Sequence, residues 1–369
     1  MKKYYFLIIV AIILGLVLTG CSLLSNISQL PATEQSGVTY LTKNGLFSDI
    51  LGLWHFDEGS GVTTIADSSG YGNVGTVNGA TTGVLGNFGN ALSFDGTDDY
   101  VDCGAAVGNS ITTGKFTVEA WINGKVFQAS YYDLIVFRGY NNWAFGVFRA
   151  NRLMFGETGW TGYFSRQIYS DALSWTPDRW YHIAVVYDIV GKTADFYRDG
   201  VPVGVGKQST DNFGITNNSG IVTISYSNPT GFNGLIDEVR IWNFALSQDQ
   251  LGKVYDFDGF FRPVDNPNVL NVAKAGSAIP VKFSLDGDYG LDIFVPDYPR
   301  SKQISCDSET LADDIPETIT AGGSSINYDD TIDQYIYVWK TDKNWTGTCR
   351  QLVVKLIDGT SHVANFKFK

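Results

Sequence analysis

The chain has 369 residues, with 41 glycines, aromatics at 14%, charged residues at 17%, and 38 acidic against 26 basic side chains. At roughly 150 residues per domain, that is room for two or three globular units. So many rings exclude intrinsic disorder, the lack of Glu, Lys, Ala and Leu heptads excludes a long helical bundle, and a net charge of −12 disfavours a nucleic-acid partner. With only three histidines, a catalytic site built on several imidazoles has little to draw on.

In chain order, Lys2 and Lys3 open the sequence and residues 4–18 are apolar except for Gly15. The run falls just short of the ~18–20 residues that a membrane span needs. Leu18-Thr19-Gly20-Cys21 follows, and this resembles the bacterial lipoprotein signal, in which small residues precede a cysteine. The resemblance implies cleavage after residue 20, a thioether-linked lipid on Cys21, and an exported chain held to the membrane by acyl groups. Left uncut, the segment would be a single transmembrane helix. Loss of two lysines leaves 24 basic and 38 acidic side chains, a net charge of −14. Residues 21–48, rich in Ser, Thr, Asn and Gln, read as a polar tether.

With Cys21 assigned to lipid, Cys306 and Cys349 are expected to pair. Closing that loop would contribute roughly 4 kcal/mol on the chain-entropy model, and an exported location permits it. Cys103 reads as a small buried apolar residue at a strand end. No Cys/His spacing suggests zinc.

From Leu51 to Tyr255 the hydrophobic period is two. Phe116, Val118, Ala120 and Ile122 share one face of a strand, whereas residues 180–187 are apolar on both faces. Asp199-Gly200 between two strand-like runs is a type I′ hairpin signal, because both central residues need positive φ. Residues 235–242 form a closing strand, and only 247–254 read as a helical turn, with Ser247 as its N-cap. Many short strands with Gly and Asn punctuation predict an all-β sandwich or jelly roll.

Gly52-Leu53-Trp54-His55-Phe56-Asp57-Glu58 and Ala66-Asp67-Ser68-Ser69-Gly70-Tyr71-Gly72-Asn73 resemble the opening of the laminin-G-like, concanavalin A-type jelly roll. Ala91-Leu92-Ser93-Phe94-Asp95-Gly96, then 100–101, 116–122, 180–188 and 234–242, continue that pattern in order. The resemblance implies two antiparallel sheets of six or seven strands over residues 49–256, one of them concave. Members of the family bind glycans, bind proteins, or serve as accessory modules on exported enzymes. Gly70-Tyr71-Gly72-Asn73-Val74-Gly75 also fits GxGxxG, but no helix-forming stretch follows, so these glycines are expected in turns.

Composition changes near residues 256–263. In the segment 259–369, residues 278–285, 334–340, 351–357 and 362–368 read as strands, with Pro280 confining its part of the first to an edge. A smaller immunoglobulin-like sandwich is expected. Pro280-Val281-Lys282-Phe283 and Trp345-Thr346-Gly347-Thr348-Cys349-Arg350 are similar to a small exported module with a Pro-x-Lys-Phe core, which supports the Cys306–Cys349 pairing.

Retaining glucanases on this fold carry paired carboxylates ~5–5.5 Å apart, commonly as Glu-x-Asp-x-Glu, and no such triplet is present. Asp237 and Glu238 are adjacent, which on an unbroken strand points them to opposite faces. There is no GxSxG elbow. His182 reads as a packed, hydrogen-bonded residue, and His55 and His362 as isolated. No enzymatic activity is expected. The resemblance does imply one structural calcium ion on loops and strand ends, with Asp67 and Asp237, then Glu58 and Asp95, as oxygen ligands. Asx turns, or pairing of Asp237 with Arg240 or a loop amide, are the alternative roles for these carboxylates.

Residues 127–170 hold thirteen aromatics in forty-four positions. Tyr131, Tyr132, Tyr140, Trp143, Trp160 and Tyr163, beside Asn141, Asn142, Arg149, Asn151, Arg152 and Glu157, have the composition of a sugar platform. Phe137, Phe145, Phe148 and Phe155 are expected in the core, and Trp143 and Trp160 at the surface. The expected function is non-catalytic binding of carbohydrate or another surface polymer. An adhesive or structural protein that binds another protein is the alternative.

Overall fold

The computed structural model describes residues 50–369 apart from 110, 112–113, 128–131, 140–141, 159–163, 209–219, 227–230, 268, 307–317 and 320–324. Cys21, the signal-like segment and the tether therefore lie outside the described residues, as do Tyr131, Tyr140, Asn141, Trp160 and Tyr163.

Sixteen strands make the larger part. They are β1 (Ile50–Trp54), β2 (Thr64–Ile65), β3 (Gly75–Asn78), β4 (Thr81–Leu85), β5 (Asn90–Asp95), β6 (Tyr100–Asp102), β7 (Lys115–Val126) and β8 (Tyr132–Arg138). There follow β9 (Trp143–Phe148), β10 (Arg152–Thr158), β11 (Phe164–Tyr169), β12 (Trp180–Asp188), β13 (Thr193–Arg198), β14 (Val201–Gln208), β15 (Val222–Ile224) and β16 (Asn233–Trp242). They form two eight-stranded sheets. The first runs β14-β13-β12-β7-β16-β5-β4 with β1 paired to β16, and the second runs β11-β10-β9-β8-β15-β6-β3-β2. Each sheet thus has one or two more strands than the family resemblance implied.

Alternation along β7 decides what lies between the sheets. Phe116, Val118, Ala120 and Ile122 are fully buried there and meet Trp143, Phe145, Leu153 and Phe155 of the second sheet. The Phe116 ring lies 5.5 Å from that of Trp143 and 5.9 Å from that of Phe155. Each such ring removed from water contributes ~1.5–3 kcal/mol. Cys103 is buried in the same core, 2% exposed.

The turn chemistry follows the sequence. Asp199 and Gly200 take φ of 52° and 71° and join β13 to β14, and Gly70 and Gly72 sit at positive φ ahead of a strand, not a helix. The helical turn at 247–254 shrinks to a 3-10 turn at Gln248–Gln250, where the Gln250 side chain accepts from the Ser247 N–H.

The remaining chain forms a smaller sandwich. One sheet runs β17 (Phe260–Phe261), β19 (Ala278–Phe283), β23 (Gln334–Lys340), β22 (Ser325–Asp329). The other runs β18 (Leu270–Ala273), β25 (Ser361–Phe368), β24 (Cys349–Lys355), β20 (Arg300–Ile304), β21 (Thr318–Ile319). Pro280 pairs with Val338 on one side, and β17 reaches only Lys282 and Phe283 on the other, so that side of Pro280 is an edge. Cys306 and Cys349 are bonded, with Cα atoms 5.3 Å apart.

The two sandwiches touch where β24 turns into β25. The Tyr255 amide donates to Asp358 Oδ2 at 3.1 Å, and a Cβ on Gly359 would lie 2.8 Å from both Ile50 and Leu53. His362 stacks on Phe257 with ring centroids 3.6 Å apart.

Candidate functional site

The outer face of the first sheet is closed. Thr117, Glu119, His182, Arg240 and Trp242 all point away from the sandwich core, and all are 2% exposed or less. Glu119 Oε1 accepts from Trp242 Nε1 at 2.9 Å, while Oε2 accepts from the Gly252 amide at 2.9 Å and lies 3.0 Å from His182 Nε2. Burial works against this charge. The His182 hydrogen bond and charge, then Arg240 and the Gly252 amide, outweigh burial and hold the carboxyl at about 2. Gly252 has φ of +70° and passes so near the His182 ring that a Cβ would lie 2.7 Å from it, which leaves no room for a side chain. Arg240 also bonds Glu238 Oε2 at 2.6 Å and the Lys253 carbonyl at 2.6 Å, and Glu238 Oε1 lies 2.7 Å from His55 Nδ1. His182 is thus the packed, hydrogen-bonded residue that its strand suggested, but His55 is not isolated.

The expectation that Asp237 and Glu238 face oppositely fails for a local reason. A bulge between Asp237 and Arg240, with Glu238 at φ of 51°, breaks the alternation. Asp237 falls level with Trp121 and Arg240 level with Glu119, on one face.

The four predicted calcium ligands do not converge. Asp67 accepts three amides, from Leu53, Ser69 and Asn73, and closes the β1 loop. Asp95 sits with Asp98 and Asp99, the one set of three or more ligating groups within 4.8 Å among the described residues. Its Oδ1 accepts from Thr97 N in an Asx turn. Asp237 Oδ2 accepts from the amides of Asn87 and Phe88, each at 3.0 Å. Its Oδ1 is buried with no partner among the described residues, and burial pushes the carboxyl up to about 7. Glu58 Oε1 accepts from Ala66 N while Oε2 is likewise unpartnered.

The outer face of the second sheet is different. Register places Tyr132 beside Phe148 and Phe148 beside Arg152. The next row is Leu134, Gly146, Met154 and Tyr169, and the third is Phe137, Ala144, Gly156 and Gln167. Leu134, Ala144 and Met154 form a buried apolar floor, around which Tyr132, Phe148, Tyr169 and Tyr226 are half-buried. Phe148 lies 4.9 Å from Tyr132 and 4.8 Å from Tyr169 between ring centroids, and Phe137 lies 4.3 Å from Tyr226. The Arg149 guanidinium sits 4.9 Å above the Phe148 ring, and Arg152 Nη1 donates to the Ser170 carbonyl at 2.6 Å. Burial raises the Tyr169 phenol to about 12 despite both arginines.

Of the predicted ligand residues, Tyr132 and Arg152 lie on this face. Trp143 does not: it is fully buried between the sheets, and Asn142, just before its strand, is buried as well. Phe145 and Phe155 are core residues as expected, but Phe137 and Phe148 belong to the opposite face. Residues 143, 145 and 147 share one side of β9, and a bulge between Leu134 and Val136 turns Phe137 outward. Arg149 lies here as the composition suggested, whereas Phe148, Tyr169 and Tyr226 were not foreseen on this face; odd–even counting from Phe145 would have found Phe148.

Residues 95–252 match the family model of the concanavalin A-like lectin/glucanases superfamily, laminin-G type. That segment is a domain of this superfamily. No curated protein matches the chain. Among solved structures, a mutant Trypanosoma rangeli sialidase with trans-sialidase activity is similar at 13% identity and TM-score 0.39, over 54% of this chain and 31% of that one. The carbohydrate-binding module CBM40 of Ruminococcus gnavus IT-sialidase, solved with α2,3-sialyllactose, is similar at 11% identity and TM-score 0.35, over 44% and 94%. A receptor binding domain is similar at 12% identity and TM-score 0.40, over 87% and 93%. This chain thus spans about a third of the length of the sialidase.

Proposed function

We propose that the protein is a non-catalytic binder of carbohydrate or a similar surface polymer, acting through the outer face of β8–β11. The ring row Tyr132–Phe148–Tyr169 carries this reading. Sugar rings bury their apolar C–H faces on aromatic side chains, and these rings are half-buried while the opposite sheet is sealed by the 243–256 segment and the Asp358 turn. The non-catalytic part is supported by the state of the carboxylates. Glu119, Asp237 and Glu238 are 1%, 0% and 3% exposed, and buried groups tied to Arg240, His182 and loop amides have no access to a glycosidic bond.

The reading is tested by a glycan array with the full-length chain and with Phe148→Ala and Tyr169→Ala. Loss of a ring stacked on a sugar is expected to weaken binding at least tenfold, with folding checked by circular dichroism. Universal silence of the wild-type chain, with capture of a protein partner through the same face, would favour the adhesive alternative.

We further propose that the chain is exported and lipid-anchored at Cys21, and that one calcium ion stabilises the Asp237 corner. The unpartnered Asp237 Oδ1 supports the latter, since hard cations take carboxylate and carbonyl oxygens. Asp237, with Glu58 bordering the same 86–90 loop, would hold the ion.

A further inference from the structure

Resting on the carbohydrate reading, we propose that the ligand is acidic: a uronate-containing or otherwise carboxylated glycan whose charge is taken by Arg149 and Arg152. The two guanidinium groups flank Phe148, one folded over its ring and the other on the residue paired with it across the β9–β10 hairpin. Among the described residues, no carboxylate lies within ion-pair distance of either, whereas Arg166, Arg240 and Arg300 each have an acidic partner. A ring stacked on Phe148 would direct an edge carboxylate into these donors, and guanidinium groups match carboxylates in bidentate geometry. The chain as a whole carries −12, but salt screens distant charge beyond ~8–10 Å. Attraction of an anion therefore depends on cations at the contact itself.

The hairpin supplies an independent sign. Asn151 N donates to the Phe148 carbonyl at 3.2 Å, closing a two-residue turn with Arg149 and Ala150 at φ of 48° and 53°. Such turns normally use Asn-Gly, which tolerates positive φ. Arg149 thus occupies a left-handed position that disfavours its side chain, and the turn sets its guanidinium over Phe148. Strain of this kind is found where a side chain is needed in a particular place.

The test measures binding of the full-length chain to homogalacturonan, alginate and hyaluronan, with fully methyl-esterified homogalacturonan and dextran as neutral probes. At least one acidic polymer is expected to bind, with affinity falling as salt rises, and esterification is expected to abolish binding to homogalacturonan if that polymer is bound. Arg149→Asn is expected to lose about tenfold or more in affinity while its melting temperature stays level or rises, because the turn is relieved. Arg152→Gln is expected to lose a similar factor. Equal affinity for neutral and acidic polymers, or full affinity in both arginine variants, overturns the acidic assignment and leaves the carbohydrate reading intact. Silence toward every acidic polymer overturns it too, and dextran or the ester then decides whether a neutral sugar is bound.

Discussion

Glu119 shows how far a single side chain can be read from its spacing. Its position in Phe116-Thr117-Val118-Glu119-Ala120 puts it off the apolar face, and nothing local says that this other face is also sealed. In the fold it is fully buried and fastens His182, Trp242 and Gly252. Its folded value near 2 lies below the ~4.3 of an unfolded glutamate. The stabilisation is therefore complete above pH ~4.3 and is lost as pH falls toward 2. Glu119→Gln is expected to lower stability by about 3–5 kcal/mol at pH 7, because it removes a buried carboxylate from the Arg240 guanidinium. Denaturant melts at pH 7 and pH 3 should show the gap between wild type and variant narrowing in acid. A constant gap would mean that the carboxylate carries no special charge. Trp143 teaches the opposite lesson. Flanking Gly and Asn suggested exposure, but position on the strand, not local polarity, decides the face.

At the scale of elements, the strands were legible because period two, Asp-Gly turns and Gly-rich loops are local signals. The bulges were not. One extra residue at Glu238 moves Asp237 to the face of Arg240, and one at Leu134–Val136 moves Phe137 out of the core. A bulge reflects how two strands must twist to pair, which neither strand states alone. The 86–90 loop is the element on which the calcium proposal stands. The full-length chain is expected to melt at least several degrees lower in chelator than in calcium, and Asp237→Asn to abolish that difference. Equal melting temperatures for the wild type in both buffers, with no calcium by elemental analysis, would remove the ion. Asp67, by contrast, already has three amide donors and is expected to matter for stability with or without calcium.

At the scale of the whole molecule, two sandwiches and their disulfide follow the order read along the chain. The proposed anchor belongs to this scale too. Cys21→Ala is expected to abolish incorporation of labelled fatty acid and to leave the apolar leader uncleaved, seen as a larger protein that remains with the membrane. Unchanged labelling would place the lipid elsewhere. By itself the sequence determined the all-β class, the Cys306–Cys349 bond and the aromatic richness of 127–170, because periodicity, turn chemistry and composition can be read along the chain. Only the tertiary structure decided which sheet face is sealed, which rings line the other, and which carboxylates are already satisfied. Those outcomes depend on strand register and on contacts between residues more than a hundred positions apart, such as Glu119 with Trp242 and Tyr255 with Asp358.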